Sequence, residues 1–176
     1  MKSIYVIGSL RNPNIPLFAN EIRALGLDVF DDWFASGPET DDYWKKYEAV
    51  RGRTYGEAIK GYMAEHVFSF DKHHLDRTDG AVMLCPAGRS GHLELGYTKG
   101  VGKPAFMVFE KEPEKRWDVM TQFCTGIFFS REEFLKHLKE NYLKKSRGPN
   151  PAGSLPICNV CRRVYGAGHD PLCPCR

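Results

Sequence analysis

Short apolar runs alternate with longer segments of helical periodicity along the first 143 residues of this chain. The apolar runs have the length of strands and fall at residues 3–7, 28–30, 80–84, 104–109 and, more weakly, 126–129. The segments between them carry apolar residues at helical spacing and predict helices at 16–25, 57–75, 90–100 and 130–143. Strands that alternate with helices form a parallel sheet with helices on both faces. Right-handed crossovers then predict an α/β fold of the flavodoxin-like or Rossmann-like type.

Local signals define individual elements within this pattern. A stripe at a 3.6-residue period predicts one helix over residues 57–75 and consists of Ile59, Met63, Val67 and Phe70. Ser130 is the predicted N-cap of the last helix, and Glu133 would complete a capping box with it. Residues 31–53 are polar and rich in aromatic side chains, with no clean period. They form either a loop that covers a substrate or a surface excursion with short helices.

The composition is that of a soluble globular protein, with 42% hydrophobic and 27% charged residues. A net charge of +3 does not indicate a nucleic-acid partner, because such a partner requires a clustered basic face. No apolar run approaches the roughly 20 residues that span a membrane. Residues 1–9 lead directly into the first strand without the layout of a signal peptide. We therefore expect a cytoplasmic protein without membrane or nucleic-acid partners.

The C-terminal part of the chain differs in composition from the rest. Residues 1–143 form the predicted catalytic domain, residues 144–156 have the composition of a linker, and residues 157–176 form a cysteine-rich tail. Four thiols in the tail have the spacing of a small zinc-ribbon-like site: Cys158, Cys161, Cys173 and Cys175. His169 is an alternative fourth ligand, and the other interpretation is a set of disulfides or free thiols. A cytoplasmic location disfavours disulfides, so we expect a structural Zn²⁺.

Three segments are expected to meet at the carboxyl edge of the sheet, where ligands bind in such folds. The first strand ends in a turn in which Gly8 allows close approach of a ligand, while Ser9 and Arg11 suit a phosphate or carboxylate. The alternative is an ordinary turn with a solvated arginine. The second segment is the loop at residues 85–91, whose backbone N–H groups at a helix start form an anion site. Its candidate contacts are Gly88, Arg89 and Ser90.

The helix that follows this loop contains Glu94 near its start. A carboxylate in this position either contacts a ligand, which would explain its burial, or stabilises the start of the helix through the helix dipole. His92, two residues earlier, either contacts substrate or caps the turn. The third segment carries Asp71, near the end of the predicted helix at 57–75. Of the neighbouring acids, we expect Asp79 to have a structural role, because aspartate is favoured in turns that lead into a strand. We expect Asp76 to be solvated.

Three motifs in order give the chain a specific resemblance. They are Tyr5-Val6-Ile7-Gly8, the pair of Asp71 and Asp79 before an apolar strand, and Glu94-Leu95-Gly96-Tyr97. The chain resembles, over residues 3 to about 143, the nucleoside 2-deoxyribosyltransferase family and its relatives that hydrolyse nucleoside 5′-monophosphates. The resemblance implies Glu94 as the nucleophile that attacks the anomeric carbon, Asp71 as the acid that protonates the departing base, and Tyr5 as the residue that positions the nucleophile.

The resemblance also implies a nucleoside or nucleotide substrate, no cofactor for catalysis, and a homo-oligomer. The turn with Ser9 and Arg11 looks like that of the monophosphate-hydrolysing branch, where such residues hold the 5′-phosphate. The chain departs from the classical transferases at Gly88, where they carry an acid that helps to bind the sugar, and in its unrelated C-terminal tail. Two other interpretations stay open: a NAD-type glycohydrolase, and a non-catalytic nucleotide-binding sensor or adaptor with a zinc-binding tail.

Overall fold

A parallel five-stranded sheet forms the centre of the molecule. The structure, a computed structural model, describes residues 1–114 and 117–143. The strands are β1 Ser3–Ile7, β2 Asp28–Phe30, β3 Ala81–Cys85, β4 Ala105–Phe109 and β5 Gly126–Phe128. Their order across the sheet is β2-β1-β3-β4-β5, and every neighbouring pair is parallel. This is the flavodoxin-like order, in which ligands bind where the order reverses, between β1 and β3.

Helices cover both faces of the sheet, as the alternation of strands and helices predicts. The α-helices are α1 Ile15–Arg23, α2 Thr40–Val50, α3 Tyr55–Ala58, α4 Tyr62–Arg77, α5 Arg89–Gly100 and α6 Arg131–Leu138. Two 3₁₀ helices lie at Asp32–Ser36 and Val119–Phe123, and a π-helical turn at Lys139–Leu143 continues α6. No helix in the described part of the chain is long and apolar enough to cross a membrane.

Alternate residues of the strands build two separate cores. One face of the sheet packs on α1 and α6, with Phe18 and Phe134 fully buried against it. The other face packs on α4 and α5 through Leu75 and Leu95, and Tyr5 of β1 belongs to this second core. Burial on both faces explains why the strands are nearly continuous apolar runs in the sequence.

The predicted helix at 57–75 is wrong as a single element, because the chain forms α3 and α4 instead. Thr54 and Glu57 make a capping box that begins α3. Gly61 then takes an extended conformation as the N-cap of α4. A Cβ at Gly61 would lie 3.1 Å from the Ala58 carbonyl oxygen, so a glycine suits this tight break. The 31–53 segment contains the short helices that the second alternative describes, a 3₁₀ helix and α2.

The start of α6 differs from the predicted capping box in one contact. The Ser130 hydroxyl oxygen accepts a hydrogen bond of 3.1 Å from the Glu133 N–H, as expected of an N-cap. The Glu133 carboxylate, however, accepts from the Phe129 N–H at 3.1 Å. The reciprocal contact therefore reaches one residue further back than a capping box requires.

Candidate active site

Three elements bring Tyr5, Asp71 and Glu94 together beside β1. Tyr5 lies in the middle of β1 and is buried, so its side chain rises from the face of the sheet that α4 and α5 cover. The Tyr5 hydroxyl and the Asp71 carboxyl group on α4 share a hydrogen bond. The charges of Asp71 and of Glu94 on α5 both act on Tyr5. The three residues that the motifs single out therefore form one polar cluster between the sheet and two helices.

Burial and mutual repulsion change the ionisation of all three groups. Burial, with a further contribution from the Asp71 charge, raises the pKa of Glu94 to about 7. Burial also raises the pKa of Asp71, against the opposing effects of the Tyr5 hydrogen bond and of His74. The pKa of Tyr5 is raised far above its usual range by burial first and then by the two carboxylates. The Tyr5 hydroxyl therefore stays protonated and donates its hydrogen bond to Asp71.

Two neighbouring carboxyl groups, both with raised pKa values and one of them titrating at about pH 7, can divide the roles of acid and base between them. Two adjacent carboxylates resist ionising together, so the pair tends to hold one proton. One member then acts as a nucleophile or base, and the other as a proton donor. The cluster is therefore equipped for acid–base or covalent chemistry at pH 7.

A close contact between α5 and the sheet sets the position of Glu94. A Cβ at Gly91 would lie 2.9 Å from the Ile7 Cγ2 atom and 3.3 Å from the Met83 Sδ atom. Glycine at this position therefore lets the first turn of α5 lie against β1 and β3. Glu94 follows less than one helical turn later, which directs it toward the same part of the sheet. The sequence analysis did not identify this role for Gly91.

A second contact joins the two helices that carry the carboxyl groups. The Tyr97 hydroxyl on α5 donates a hydrogen bond of 2.6 Å to the Asp76 carboxylate on α4. Lys72 Nζ also donates to Asp76, at 2.5 Å. Asp76 is exposed, as predicted, and its carboxylate also ties α4 to α5. Asp79 is structural as predicted, since its carboxylate accepts from the backbone N–H groups of Lys2 and Ser3.

The three predicted ligand contacts in the turn after β1 all have partners within the protein. A Cβ on Gly8 would lie 2.1 Å from the Ile15 Cδ1 atom, so a larger residue here would displace the Ile15 side chain of α1. The Ser9 hydroxyl oxygen accepts a hydrogen bond of 3.2 Å from the Arg11 N–H. The Arg11 guanidinium forms an exposed ion pair of 3.0 Å with Asp42 on α2. Arg11 is therefore neither buried in the cluster nor unpaired.

The loop before α5 leaves its predicted anion-binding groups accessible. Gly88 is the N-cap residue of α5 and provides no side-chain cap. Arg89 and Ser90 are exposed in the first turn of the helix. The His92 Nδ1 atom lies 2.8 Å from the Gly88 carbonyl oxygen. Of the two interpretations of His92, this contact fits the one in which the imidazole caps the turn.

The remaining sequence predictions concern cysteines and metals. Cys85 is buried at the end of β3, and burial raises the pKa of its thiol to about 12. Cys124 is half-buried. Within residues 1–114 and 117–143 there is no group of three or more potential ligands able to hold a metal ion. The zinc ligands predicted in the tail, Cys158, Cys161, Cys173 and Cys175, lie outside the described residues.

No protein-family model matches this sequence, and no curated protein matches it either. Similarity appears at the level of structure. A 2-deoxyribosyltransferase from the psychrotolerant bacterium Bacillus psychrosaccharolyticus superposes with a TM-score of 0.53 at 15% sequence identity. The match covers 76% of this chain and 90% of that one. The likeness establishes a shared α/β fold.

Proposed function

We propose that this protein cleaves or transfers the N-glycosidic bond of a nucleoside or nucleoside 5′-monophosphate, with Glu94 as the nucleophile. The observation that carries the proposal is the cluster of Tyr5, Asp71 and Glu94, in which two electrostatically coupled carboxyl groups lie beside a protonated phenol. The motifs that contain these residues resemble those of deoxyribosyltransferases, and the fold is shared with one such enzyme.

The reaction requires the form of the pair in which Glu94 is ionised and Asp71 holds the proton, the reverse of the form in which the Asp71 charge raises the Glu94 pKa. The ionised Glu94 oxygen attacks the anomeric carbon as the bond between that carbon and the base nitrogen breaks, and Asp71 gives its proton to the departing base. The products are a free base and a glycosyl ester of Glu94. A second base or a water molecule then attacks the ester, and the proton that it releases returns to Asp71. The transition state is oxocarbenium-like. A retaining mechanism of this kind uses two carboxyl groups about 5 Å apart.

The Tyr5 hydroxyl has a positioning role in this scheme. Its raised pKa keeps the proton on oxygen, so it donates to a carboxylate throughout the cycle. Because the Tyr5 ring is buried in the core under α4 and α5, its hydroxyl has little freedom to move. It therefore holds the acidic pair in a defined orientation relative to the sheet.

A 5′-monophosphate is the preferred substrate in this proposal. Arg11 follows β1, and the loop from Gly88 opens the helix of Glu94, so both border the reversal of strand order between β1 and β3. To bind a phosphate, Arg11 must release Asp42 and pair with the phosphate instead. That exchange costs little, because exposed ion pairs contribute about 0–1 kcal/mol. A charge-assisted contact to phosphate contributes more, about 1.5–3 kcal/mol.

A homo-oligomer that pairs through α4 is the second part of the proposal. Of the sixteen residues of α4, all within the described chain, Leu75 alone is buried. Large apolar side chains on this helix are exposed: Tyr62, Met63, Val67, Phe68 and Phe70. A helix with this pattern normally buries its apolar side against another surface. A second copy of the chain presents the same apolar surface and satisfies this requirement on both sides.

Light scattering after size exclusion tests the oligomer, with Val67→Asp as the disrupting change and Val119→Asp as its matched control. Both valines are exposed, but Val119 lies in the 3₁₀ helix before β5. We expect a wild-type mass of at least two chains, a smaller mass for Val67→Asp and an unchanged mass for Val119→Asp. A monomeric wild type would contradict the proposal.

The four cysteines of the tail are proposed to hold one structural Zn²⁺. The support is their spacing, since two close pairs of thiolates suit tetrahedral zinc. The metal would fold a segment that is too small to fold on its own.

A panel of nucleosides, nucleoside 5′-monophosphates and NAD tests the proposed activity. Free base is followed by chromatography, with and without a second base as acceptor. Base release from a nucleoside or monophosphate supports the proposal, and exchange with the added base identifies a transferase. Release of nicotinamide alone would favour the NAD-type glycohydrolase, and binding without release would favour the sensor.

A further inference from the structure

The helix that carries Glu94 contains a glycine that packing does not require. Gly96 lies two residues after Glu94 in α5, and a Cβ there would meet no atom of the described residues within 4 Å. Glycine inside a helix loses more conformational entropy on folding than alanine does, so it weakens the middle of α5. The first turn of α5 is fixed against the sheet at Gly91. Contacts made after Gly96 therefore matter for the position of the helix as a whole.

Two such contacts join α5 to the C-terminal end of α4. The Tyr97 hydroxyl donates a hydrogen bond of 2.6 Å to the Asp76 carboxylate. Lys103, whose own N–H donates to the Thr98 carbonyl oxygen of α5, also reaches across. Its Nζ atom donates to the carbonyl oxygens of Leu75 and Asp76, at 3.0 and 2.5 Å. The last carbonyl groups of a helix have no partner within the helix, and a cation there is favoured by the helix dipole. Lys103 therefore caps α4 from the end of α5.

Lys72 adds two contacts to the same place. Its Nζ atom donates to the Asp76 carboxylate at 2.5 Å and lies 5.1 Å from the centre of the Tyr97 ring. A cation over an aromatic ring is attracted to its face, so Lys72 contacts both partners of the hydrogen bond between the helices. We call these four residues the helix junction: Lys72, Asp76, Tyr97 and Lys103.

The helix junction lies close to the two carboxyl groups of the candidate site. Asp76 follows Asp71 by five residues on α4, and Tyr97 follows Glu94 by three residues on α5. At a rise of 1.5 Å per residue, these separations are about 7.5 Å and about 4.5 Å along the two helix axes. A displacement of α5 from α4 at the junction therefore also moves Glu94 away from Asp71.

We propose that Tyr97 is a positioning residue, whose hydrogen bond to Asp76 fixes the distance between the carboxyl groups of Glu94 and Asp71. This inference rests on the proposed function for its catalytic meaning, and on the contacts of the helix junction for its effect on the two carboxyl groups. Tyr97 acts through the helix that carries Glu94. A single hydrogen bond contributes only modestly to net stability, so the loss of this one should change the geometry of the site more than the stability of the fold.

Tyr97→Phe in the full-length protein tests the proposal, because it removes the hydroxyl group and keeps the ring. Carboxyl ¹³C NMR follows the titration of Glu94, whose signal is assigned by its loss in Glu94→Gln. The Glu94 pKa of about 7 depends on burial and on the Asp71 charge. A displaced α5 should therefore lower the titration midpoint by roughly half to one pH unit. The matched control is Tyr62→Phe, which removes an exposed hydroxyl group at the start of α4 and should leave the midpoint unchanged.

The same substitution in an Asp76→Ala background tests whether Tyr97 acts through Asp76. If it does, Tyr97→Phe should shift the Glu94 midpoint little in that background, because the hydrogen bond is already lost. A full shift in the Asp76→Ala background would overturn the proposal. An unchanged midpoint for Tyr97→Phe in the wild-type background would also overturn it, and a fall in thermal stability alone would then indicate a purely structural role.

Kinetics give a second measurement where base release is detectable. Tyr97→Phe should lower kcat by about ten- to a hundredfold and leave KM nearly unchanged, because a small misplacement of reacting groups slows the chemical step. A changed KM with an unchanged kcat would contradict a positioning role. A shifted Glu94 midpoint in a protein that releases no base would uphold the effect of Tyr97 on the pair and refute the proposed activity.

Discussion

The Asp71 carboxyl group on α4 lies close enough to Glu94 on α5 for its negative charge to raise the Glu94 pKa. Burial under the two helices contributes even more to the same shift. The folded protein therefore binds a proton at Glu94 up to a pH of about 7, well above the ordinary value of a glutamate. An arrangement that makes ionisation unfavourable reduces stability in exchange for reactivity.

Stability should fall as this carboxyl group ionises. Because the folded-state pKa of Glu94 is raised, the folded protein holds more protons than the unfolded chain between about pH 4.5 and 7, and stability decreases over that range. Glu94→Gln removes the ionisable group, so we expect it to be more stable than wild type at pH 8 by roughly 1–3 kcal/mol. Thermal unfolding measures the gain, which should shrink toward pH 4.5. A gain that is equal at both pH values would show that Glu94 ionisation is not its cause.

Asp71→Asn should slow the release of poor leaving bases far more than that of activated ones. Asparagine keeps the size of the side chain but cannot donate the carboxyl proton, so the loss in rate should follow the basicity of the leaving group. Rates measured with natural bases and with a p-nitrophenyl-type leaving group give the comparison. Equal losses for the two kinds of substrate would rule out the acid role of Asp71.

Arg11→Ala should raise the Michaelis constant for a monophosphate by about ten- to a hundredfold and hardly affect the matching nucleoside. The matched control is Asp42→Ala, which removes the exposed partner of Arg11 without removing the guanidinium. We expect this control to leave monophosphate binding unchanged or slightly tighter. Specificity constants of a deoxynucleoside and its monophosphate provide the measurement. Equal constants in the wild type would favour a plain nucleoside substrate.

The full-length protein should contain about one zinc ion per chain, bound by the tail cysteines. Truncation after Pro149 should remove the metal and leave the α/β domain folded, since the linker composition at 144–156 marks a boundary. Elemental analysis gives the zinc content, and circular dichroism gives the fold. The double change Cys158→Ser and Cys161→Ser is a control that keeps the chain length. Absence of zinc from metal-replete full-length protein would refute the site.

Much of the fold follows from the sequence because both faces of the sheet are buried. Strands in that environment are continuous apolar runs, and β1 and β2 were predicted at the bounds that the structure has. The break at Gly61 was not anticipated, although the capping pair of Thr54 and Glu57 marks the start of a separate short helix. Exposed apolar residues on α4 produce the same periodicity as buried ones, so the pattern cannot tell which side the core covers.

The candidate site was predictable in its acids but not in their surroundings. Three motifs in order identify Tyr5, Asp71 and Glu94, because together they resemble those of a known enzyme family. The stacking of His74 on Phe30 joins residues 44 positions apart, and no local pattern encodes it. The pairing of Arg11 with Asp42 depends in the same way on how α2 folds back over the turn after β1. Contacts of this kind arise from tertiary packing.

The central claim is that Glu94 forms a bond to the anomeric carbon, and the rate of base release by Glu94→Ala tests it most directly. The matched control is Glu65→Ala, which removes an exposed glutamate near the start of α4. Loss of a nucleophile typically lowers the rate by several powers of ten, so we predict almost no base release by Glu94→Ala and normal release by the control. If folded Glu94→Ala keeps more than about a tenth of the wild-type rate, Glu94 is not the nucleophile.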